Sequence, residues 1–434
     1  MSSTVQLKTT PARGTRDLLP AEVALRDWAT QIIKHTYESF GFTRIETPAI
    51  ENIDLLKRGE GGENLQLIFE ILKRGEKLEA ALKEGSELSD LGLRFDLTVP
   101  LVRFYANNLN DLPNPFKAIQ IGPVWRAESP QKDRYRQFTQ CDIDVIGIKS
   151  AFAELDLLCA TSEALLNLGF DGFTIRLNDR RLLTDLAIHC GFAQDRLDNV
   201  FITVDKLDKI GMDGVRKELL NNNHNPDSVD KLIAIYEPVA GIKASGAEQA
   251  EKVLALMPEN SESSYREELK ELIACLSDSS HGNRFSLVLD PTLVRGMGYY
   301  TGPIFEVTVP GFAHSVAGGG RYDHMVEKFL DREVSACGFS IGFERIISIL
   351  QERGIGPGPR EKLLALIYDQ GRDRLTATMQ AMTRLKSQNW AVSLVAKKKD
   401  LKKQIDQLAG QGYAAFCVFR GDPEDLQVKE LGSN

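Results

Sequence analysis

Three segments of this chain alternate apolar and polar residues with a period of two, and each gathers its polar residues on one face. In LRFDLTV (93–99), Leu93, Phe95, Leu97 and Val99 alternate with Arg94, Asp96 and Thr98. In AIQIGPVWRAE (118–128), Gln120, Val124, Arg126 and Glu128 share a face; in FTQCDIDV (138–145), Phe138, Gln140, Asp142 and Asp144 do. A two-residue period belongs to β-strands, so three strands of an antiparallel sheet are predicted. One wet sheet face would satisfy the pattern. Three successive stripes carrying Asp, Gln and Arg favour a polar-lined cleft instead. Asp96, Gln140 and Asp144 are acceptors for an ammonium and a second donor, and Arg126 is a cation for a neighbouring anion. A zwitterion beside a phosphate fits that set.

Around this sheet the sequence predicts an α+β protein. At 434 residues, with roughly 150 per domain, about three domains are expected. Helical patterns cover 22–39 and 152–168, and the stretch 178–282 turns helical and charged, so it reads as an insertion. RGIGPGPRE (353–361), rich in glycine and proline, reads as a linker. Beyond it, strand patterns (363–368, 391–395, 413–419) alternate with helical ones, which predicts a small parallel α/β unit over 361–434. The net charge of −8 argues against a simple electrostatic nucleic-acid binder. The charge is uneven, however: residues 361–434 carry +3 and the remainder −11. Lys397, Lys398 and Lys402 in AKKKDLKKQ (396–404) form either a solvated helix end or a phosphate-touching surface. No apolar run nears the ~18 residues of a membrane span, and the opening MSSTVQLKTT lacks the apolar core of a signal peptide. Six scattered cysteines with no CxxC pair suit a reducing compartment. A cytoplasmic protein is expected.

Further segments carry chemistry of their own. The loop SPQKDRYRQ (129–137) holds Lys132, Arg134 and Arg136, which are either solvated or directed at phosphates. LVRGMGYYTGPIFEVTVP (293–310) sets Arg295 before two glycines and the pair Tyr299–Tyr300. AGGGRYDH (317–324) supplies three glycines where a ligand or another backbone must come close. It lacks the G-x-G-x-x-G spacing of a dinucleotide site, and no Walker A sequence occurs in the chain. CGFSIGFERIISIL (337–350) is a glycine-containing strand entering an amphipathic helix, with Arg345 in its first turn.

Taken in order, these segments resemble the class II aminoacyl-tRNA synthetases, and among them the histidyl-tRNA synthetase family. GTRDLLP (14–20) is similar to that family's N-terminal signature, and GFTRIETPAIE (41–51), with Pro48, to motif 1. VWRAE through QFTQCDIDVIG (124–147) resembles motif 2, and GFSIGFERI (338–346) motif 3. VRGMGYYTGPIFE (294–306) and AGGGRYD (317–323) resemble the two histidine-specific motifs. The resemblance implies an antiparallel class II sheet flanked by helices over 1–355, with the helical insertion at 178–282. It also implies an anticodon-binding α/β domain at 361–434 and a homodimer built through motif 1. Histidine's ammonium would lie against Asp96, Thr98 and Gln140, and its imidazole between Asp144 and Tyr300, walled by Tyr299 and Tyr322. ATP would bind with its α-phosphate on Arg126 and its adenine between Phe138 and Arg345, near Glu128, with Mg²⁺ held on its phosphates rather than in a protein cage. Arg126 and Arg295 would be the catalytic cations. Lys132, Arg134, Lys397, Lys398 and Lys402 would touch tRNA(His). Two positions depart from the family's habit: Gly298 stands where an acidic residue is common, and Asp96 where many members carry Glu.

Two other readings stay open on the residues. One is a non-catalytic relative of the same fold, the synthetase-like regulatory subunit of ATP phosphoribosyltransferase. That relative lacks an anticodon domain and tends to lose the arginine found here at 295. The other is an unrelated ATP-dependent enzyme that activates a carboxylate and carries a basic tail.

Overall fold

The structure, a computed structural model, describes residues 9–58, 65–130, 134–258, 264–278, 284–295, 299–330, 332–358 and 363–431. Contacts divide the chain into two compact units, Met1–Ile355 and Gly356–Asn434. The first is built on an eight-stranded sheet. Its strands run, across the sheet, Thr43–Arg44, Phe116–Trp125, Gln137–Ile146, Ala336–Gly342, Ala317–Arg321, Pro303–Thr308, Phe173–Asp179 and Phe285–Leu289. The two outermost pairs are parallel and the five inner pairs antiparallel. The alternation at 118–125 and 138–145 thus lies in the hairpin formed by the second and third strands.

One face of the sheet is apolar. Cys141, Ile143, Val145, Phe305, Phe339 and Ile341 are fully buried or nearly so against the helices Pro20–Ser39, Phe152–Asn167 and Phe343–Arg353. In the first helix Leu25, Ala29, Ile33 and Tyr37 recur every four residues and form the buried stripe. Six α-helices lie between Arg180 and Asp278 among the described residues. Asp179 ends its strand and caps the first of them, accepting the Arg181 N–H. These helices pack into the same continuous core through Leu186, Leu219, Val253 and Leu272.

The segment 93–99 differs from the expected strand. A strand ends at Leu93, and a helix, Thr98–Asn108, begins five residues on. Phe95, Leu97 and Val99 are buried, as alternation requires, but in a turn entering a helix. Pro100 sits in that helix's first turn, where its missing N–H costs nothing. Asp96 accepts the Val99 N–H at 3.2 Å, satisfying one of the unpaired first-turn donors.

The second unit holds a sheet ordered Ala391–Ala396, Leu363–Tyr368, Ala415–Val418 and Val428–Glu430. Three strands are parallel, as expected, but the last is antiparallel. The 419–427 connection is too short for a parallel crossover, so the chain returns antiparallel. Among the described residues, no helix is long and apolar enough to cross a membrane.

Candidate active site

Register aligns the polar face of the large sheet. Gln120 pairs with Asp142, Asp142 with Ser340, Ser340 with Gly318, Gly318 with Glu306, and Glu306 with Arg176. One transverse row therefore crosses six strands, interrupted by a glycine. Two residues along, Ala118, Asp144, Gly338 and Gly320 form the next row. The glycines are explained by what lies over them. A Cβ at Gly338 would overlap the Asp144 carboxylate and press on the Tyr322 ring at 3.1 Å, and one at Gly318 would overlap the Arg295 guanidinium.

A pocket of about 230 Å³ opens over these rows. Asp96, Thr98, Gln140 and Asp144 line it together with Arg126 and Arg295, and Tyr299, Tyr300 and Tyr322 complete the wall. Asp142 and Ser340 line it too, although the sequence pointed to neither as a ligand contact; the signal for Asp142 was its place on the stripe of Gln140 and Asp144. The tyrosines are closely packed, Tyr299 and Tyr300 at 4.2 Å between ring centres and Tyr299 and Tyr322 at 6.1 Å. Tyr322 donates to Asp144 Oδ1, at 2.5 Å.

The pocket is rich in acceptors. Among the described residues Gln140 Oε1, Asp142 Oδ1 and Asp144 Oδ2 are buried without a donor. Burial of this kind disfavours charge. It pushes Asp96 up to about 6 despite the Val99 N–H and Arg126, and Asp144 up to about 7 despite its bond from Tyr322. Asp142 is raised well above the usual carboxylate range by burial and by Asp144 beside it. The site is built to receive donors.

The cationic side lies next to these acids. Arg126 donates Nε to the Phe95 carbonyl at 3.0 Å and stands 5.0 Å over the Phe138 ring. Arg295 pairs with Glu306 at 2.8 Å. Arg345 lines an adjoining cavity of about 520 Å³ that shares Arg295 with the first and is also lined by Glu306, and it donates to the Ser315 carbonyl at 2.5 Å. Phe138 and Glu128 are outside the lining of both cavities. Glu128 is paired with Arg134. Lys132, Gly296 and Gly298 lie outside the described residues. In the second unit Lys397 and Lys398 are exposed in a turn, and Lys402 is exposed on the helix Leu401–Gly410.

A clamp from the first helix fixes both flanks of this half. Arg26 holds Glu344 bidentately, at 2.7 and 2.8 Å, and also donates to Thr139 Oγ1. Glu344 accepts the Thr139 N–H at 3.1 Å, and Arg16 adds a contact at 3.2 Å. Burial alone would raise the Glu344 carboxyl, but Arg26 outweighs it and holds the group below its usual range. Thr139 lies between Phe138 and Gln140, and Glu344 precedes Arg345, so one carboxylate sets the position of all three.

The antiparallel sheet, an arginine just past the first hairpin strand and another in the first turn of the helix after Ala336–Gly342 define a class II aminoacyl-tRNA synthetase. Residues 14–346 match the family described as histidyl-tRNA synthetase. The chain belongs to that family. It is 44% identical over 424 residues to the histidine–tRNA ligase of Leifsonia xyli subsp. xyli, covering 95% of this chain and 96% of that one. It is 35% identical over 427 residues to the histidine–tRNA ligase of Christiangramia forsetii, covering 95% and 92%. The crystal structure of histidyl-tRNA synthetase from Nostoc sp. PCC 7120 superimposes with a TM-score of 0.78 at 27% identity, covering 98% of this chain and 95% of that one. A Bacillus halodurans structure titled as an ATP phosphoribosyltransferase regulatory subunit/histidyl-tRNA synthetase shares the fold, with a TM-score of 0.75 at 20% identity and coverage of 96% and 100%.

Proposed function

We propose that this chain activates L-histidine with ATP to histidyl-adenylate and transfers the histidyl group to the 3′ end of tRNA(His), releasing AMP and diphosphate. One observation supports the amino-acid assignment: among the described residues Gln140, Asp142 and Asp144, which line the pocket, each keep one buried oxygen without a hydrogen-bond partner. An ammonium and an imidazole N–H are the donors a histidine brings. Asp96, Thr98 and Gln140 take the ammonium, with Asp142 lining the pocket beside them. Asp144 Oδ2 accepts the imidazole N–H while Tyr322 holds Oδ1. Tyr300 serves the other ring nitrogen and Tyr299 closes the wall.

The histidine carboxylate then attacks the α-phosphorus in line. Negative charge grows on the non-bridging oxygens, and Arg126 and Arg295 offset it from two sides. The adenine lies between Phe138 and Arg345, near Glu128. Mg²⁺ arrives on the phosphates of ATP as part of the substrate. Pyrophosphate leaves, and a terminal ribose hydroxyl of the tRNA attacks the adenylate carbonyl.

In this reading residues 1–355 form the catalytic module, 178–282 the insertion and 361–434 the anticodon-binding module. Lys132 and Arg134 meet the acceptor end, and Lys397, Lys398 and Lys402 the anticodon arm. The protein works in the cytoplasm as a homodimer through the motif 1 segment, whose Ile50 is 48% exposed.

ATP–pyrophosphate exchange without tRNA, tried with each of the twenty amino acids, tests the assignment. Exchange is expected with histidine alone. Intact histidine binding with no exchange would instead make the chain a non-catalytic relative.

The raised carboxyls give a second test. In the ligand-free fold Asp96 and Asp144 hold protons that the unfolded chain releases nearer pH 4, so their contribution to stability falls as pH rises from about 4 to about 7. Bound histidine reverses this, because its ammonium and N–H favour the ionised acids. Histidine should therefore raise the thermal midpoint more at pH 8 than at pH 5.5. Equal shifts would mean that these acids keep their protonation state on binding.

A further inference from the structure

We propose that Glu306 is a positioning residue for Arg295 and is itself aligned by Arg176; the proposal rests on the reading of this pocket as an adenylation site. The Glu306 carboxylate is divided between two arginines. Its Oε2 accepts from Arg295 Nη1 at 2.8 Å, and its Oε1 lies 3.4 Å from Arg176 Nη1. Arg176 is anchored from behind by Asp290, whose Oδ2 accepts its Nε at 2.7 Å, and it also meets Asp208 of the helical region at 3.2 Å. Asp290 is fixed in turn by the Thr292 N–H and hydroxyl, at 2.9 and 2.6 Å.

Register makes this chain of charges continuous with the substrate pocket. Glu306 pairs across the sheet with Gly318 on one side and Arg176 on the other, in the row that carries Asp142 and Ser340. The Arg295 guanidinium lies over Gly318, so its reach to Glu306 is set by strand pairing rather than by the loop that bears it. That loop continues Gly296–Met297–Gly298 and offers no carboxylate next to the arginine. Arg295 keeps 31% of its side chain exposed and would otherwise spread over many rotamers. Glu306, 15% exposed, holds the cation where phosphate charge develops, and preorganised charge of this kind lowers a barrier.

A double-mutant cycle on exchange kinetics separates this role from a merely structural one. Glu306→Gln should lower the maximal rate of histidine-dependent exchange by about 10- to 100-fold, the scale of a misplaced catalytic group, with histidine affinity unchanged. Introduced into Arg295→Ala, the same substitution should cost nothing further, because the group it positions is gone. Losses that multiply in the double variant would overturn the proposal, as would a Glu306→Gln enzyme with the full maximal rate. If Glu306→Gln does not fold, Glu306→Asp, which keeps the charge but shortens the reach, enters the same cycle with the same criterion. Wild-type protein without histidine-dependent exchange would remove the adenylation reading itself, a result distinct from either.

Discussion

Replacing Arg295 by alanine lowers the rate of histidine-dependent exchange by on the order of 10²–10³, the usual loss for one donor aimed at transition-state charge. Histidine binding should survive, because the proposed acceptors for its ammonium and imidazole lie on the strand Gln137–Ile146 and the turn before Thr98, not on the loop that carries Arg295. Gly318→Ala should produce a similar loss by another route, since the added methyl occupies the space of the guanidinium. Single-turnover adenylate formation with isothermal titration of histidine would check both. A full rate in Arg295→Ala would remove this arginine from the chemistry and leave Arg126 as the sole proposed catalytic cation.

Asp144→Ala should reduce kcat/KM for histidine by roughly 30- to 5,000-fold, the equivalent of the 2–5 kcal/mol lost when one partner of a buried, charged hydrogen bond is removed. Two defects combine. The imidazole N–H loses its acceptor, and the buried Tyr322 hydroxyl loses the carboxylate it donates to. Asp144→Asn keeps the shape but can present an N–H to the imidazole, so it should recover little. In the proposed binding mode discrimination should fall as well, because amino acids lacking the ring N–H would leave Asp144 unpaired; a site built on such bonds reaches about 10⁴-fold without editing. Exchange measured with histidine and with a size-matched apolar amino acid reads both effects. A variant that activates histidine as well as wild type would place the imidazole elsewhere.

The hairpin of Phe116–Trp125 and Gln137–Ile146 was legible because a sustained two-residue period has one physical solution when one face is buried, and 118–125 and 138–145 both meet it. The stretch 93–99 shows the limit of the same rule. Its apolar positions are buried as alternation demands, yet a turn capped by Asp96 and a helix opened by Thr98–Val99–Pro100 satisfy them equally well. Asp142 was visible on its stripe but gave no hint of its rank beside Asp144, since rank depends on which strand pairs at that register. Glu306 was harder still. In IFEVTV it reads as one polar residue on a strand, and its meaning comes from Gly318 and Arg176, which are neighbours in the sheet and not in the sequence. The AGGG run announced a close approach without saying of what; the Arg295 guanidinium over Gly318 and the Pro303 carbonyl and Tyr300 ring beside Gly320 supply the answer.

The clamp on Glu344 joins residues 318 and 328 positions apart, Arg26 and Arg16, near the start of the chain. Synthesis on the ribosome therefore delivers the arginines at the outset and their carboxylate only when some four-fifths of the chain has been made. Until then Thr139 lacks the oxygen that fixes its backbone, and the segment that will support Phe138 and Gln140 has no outer wall. A growing polypeptide thus cannot fix this flank of the candidate site until the helix Phe343–Arg353 has been made. Order of synthesis makes the carboxylate that braces this strand one of the last parts of the site to appear.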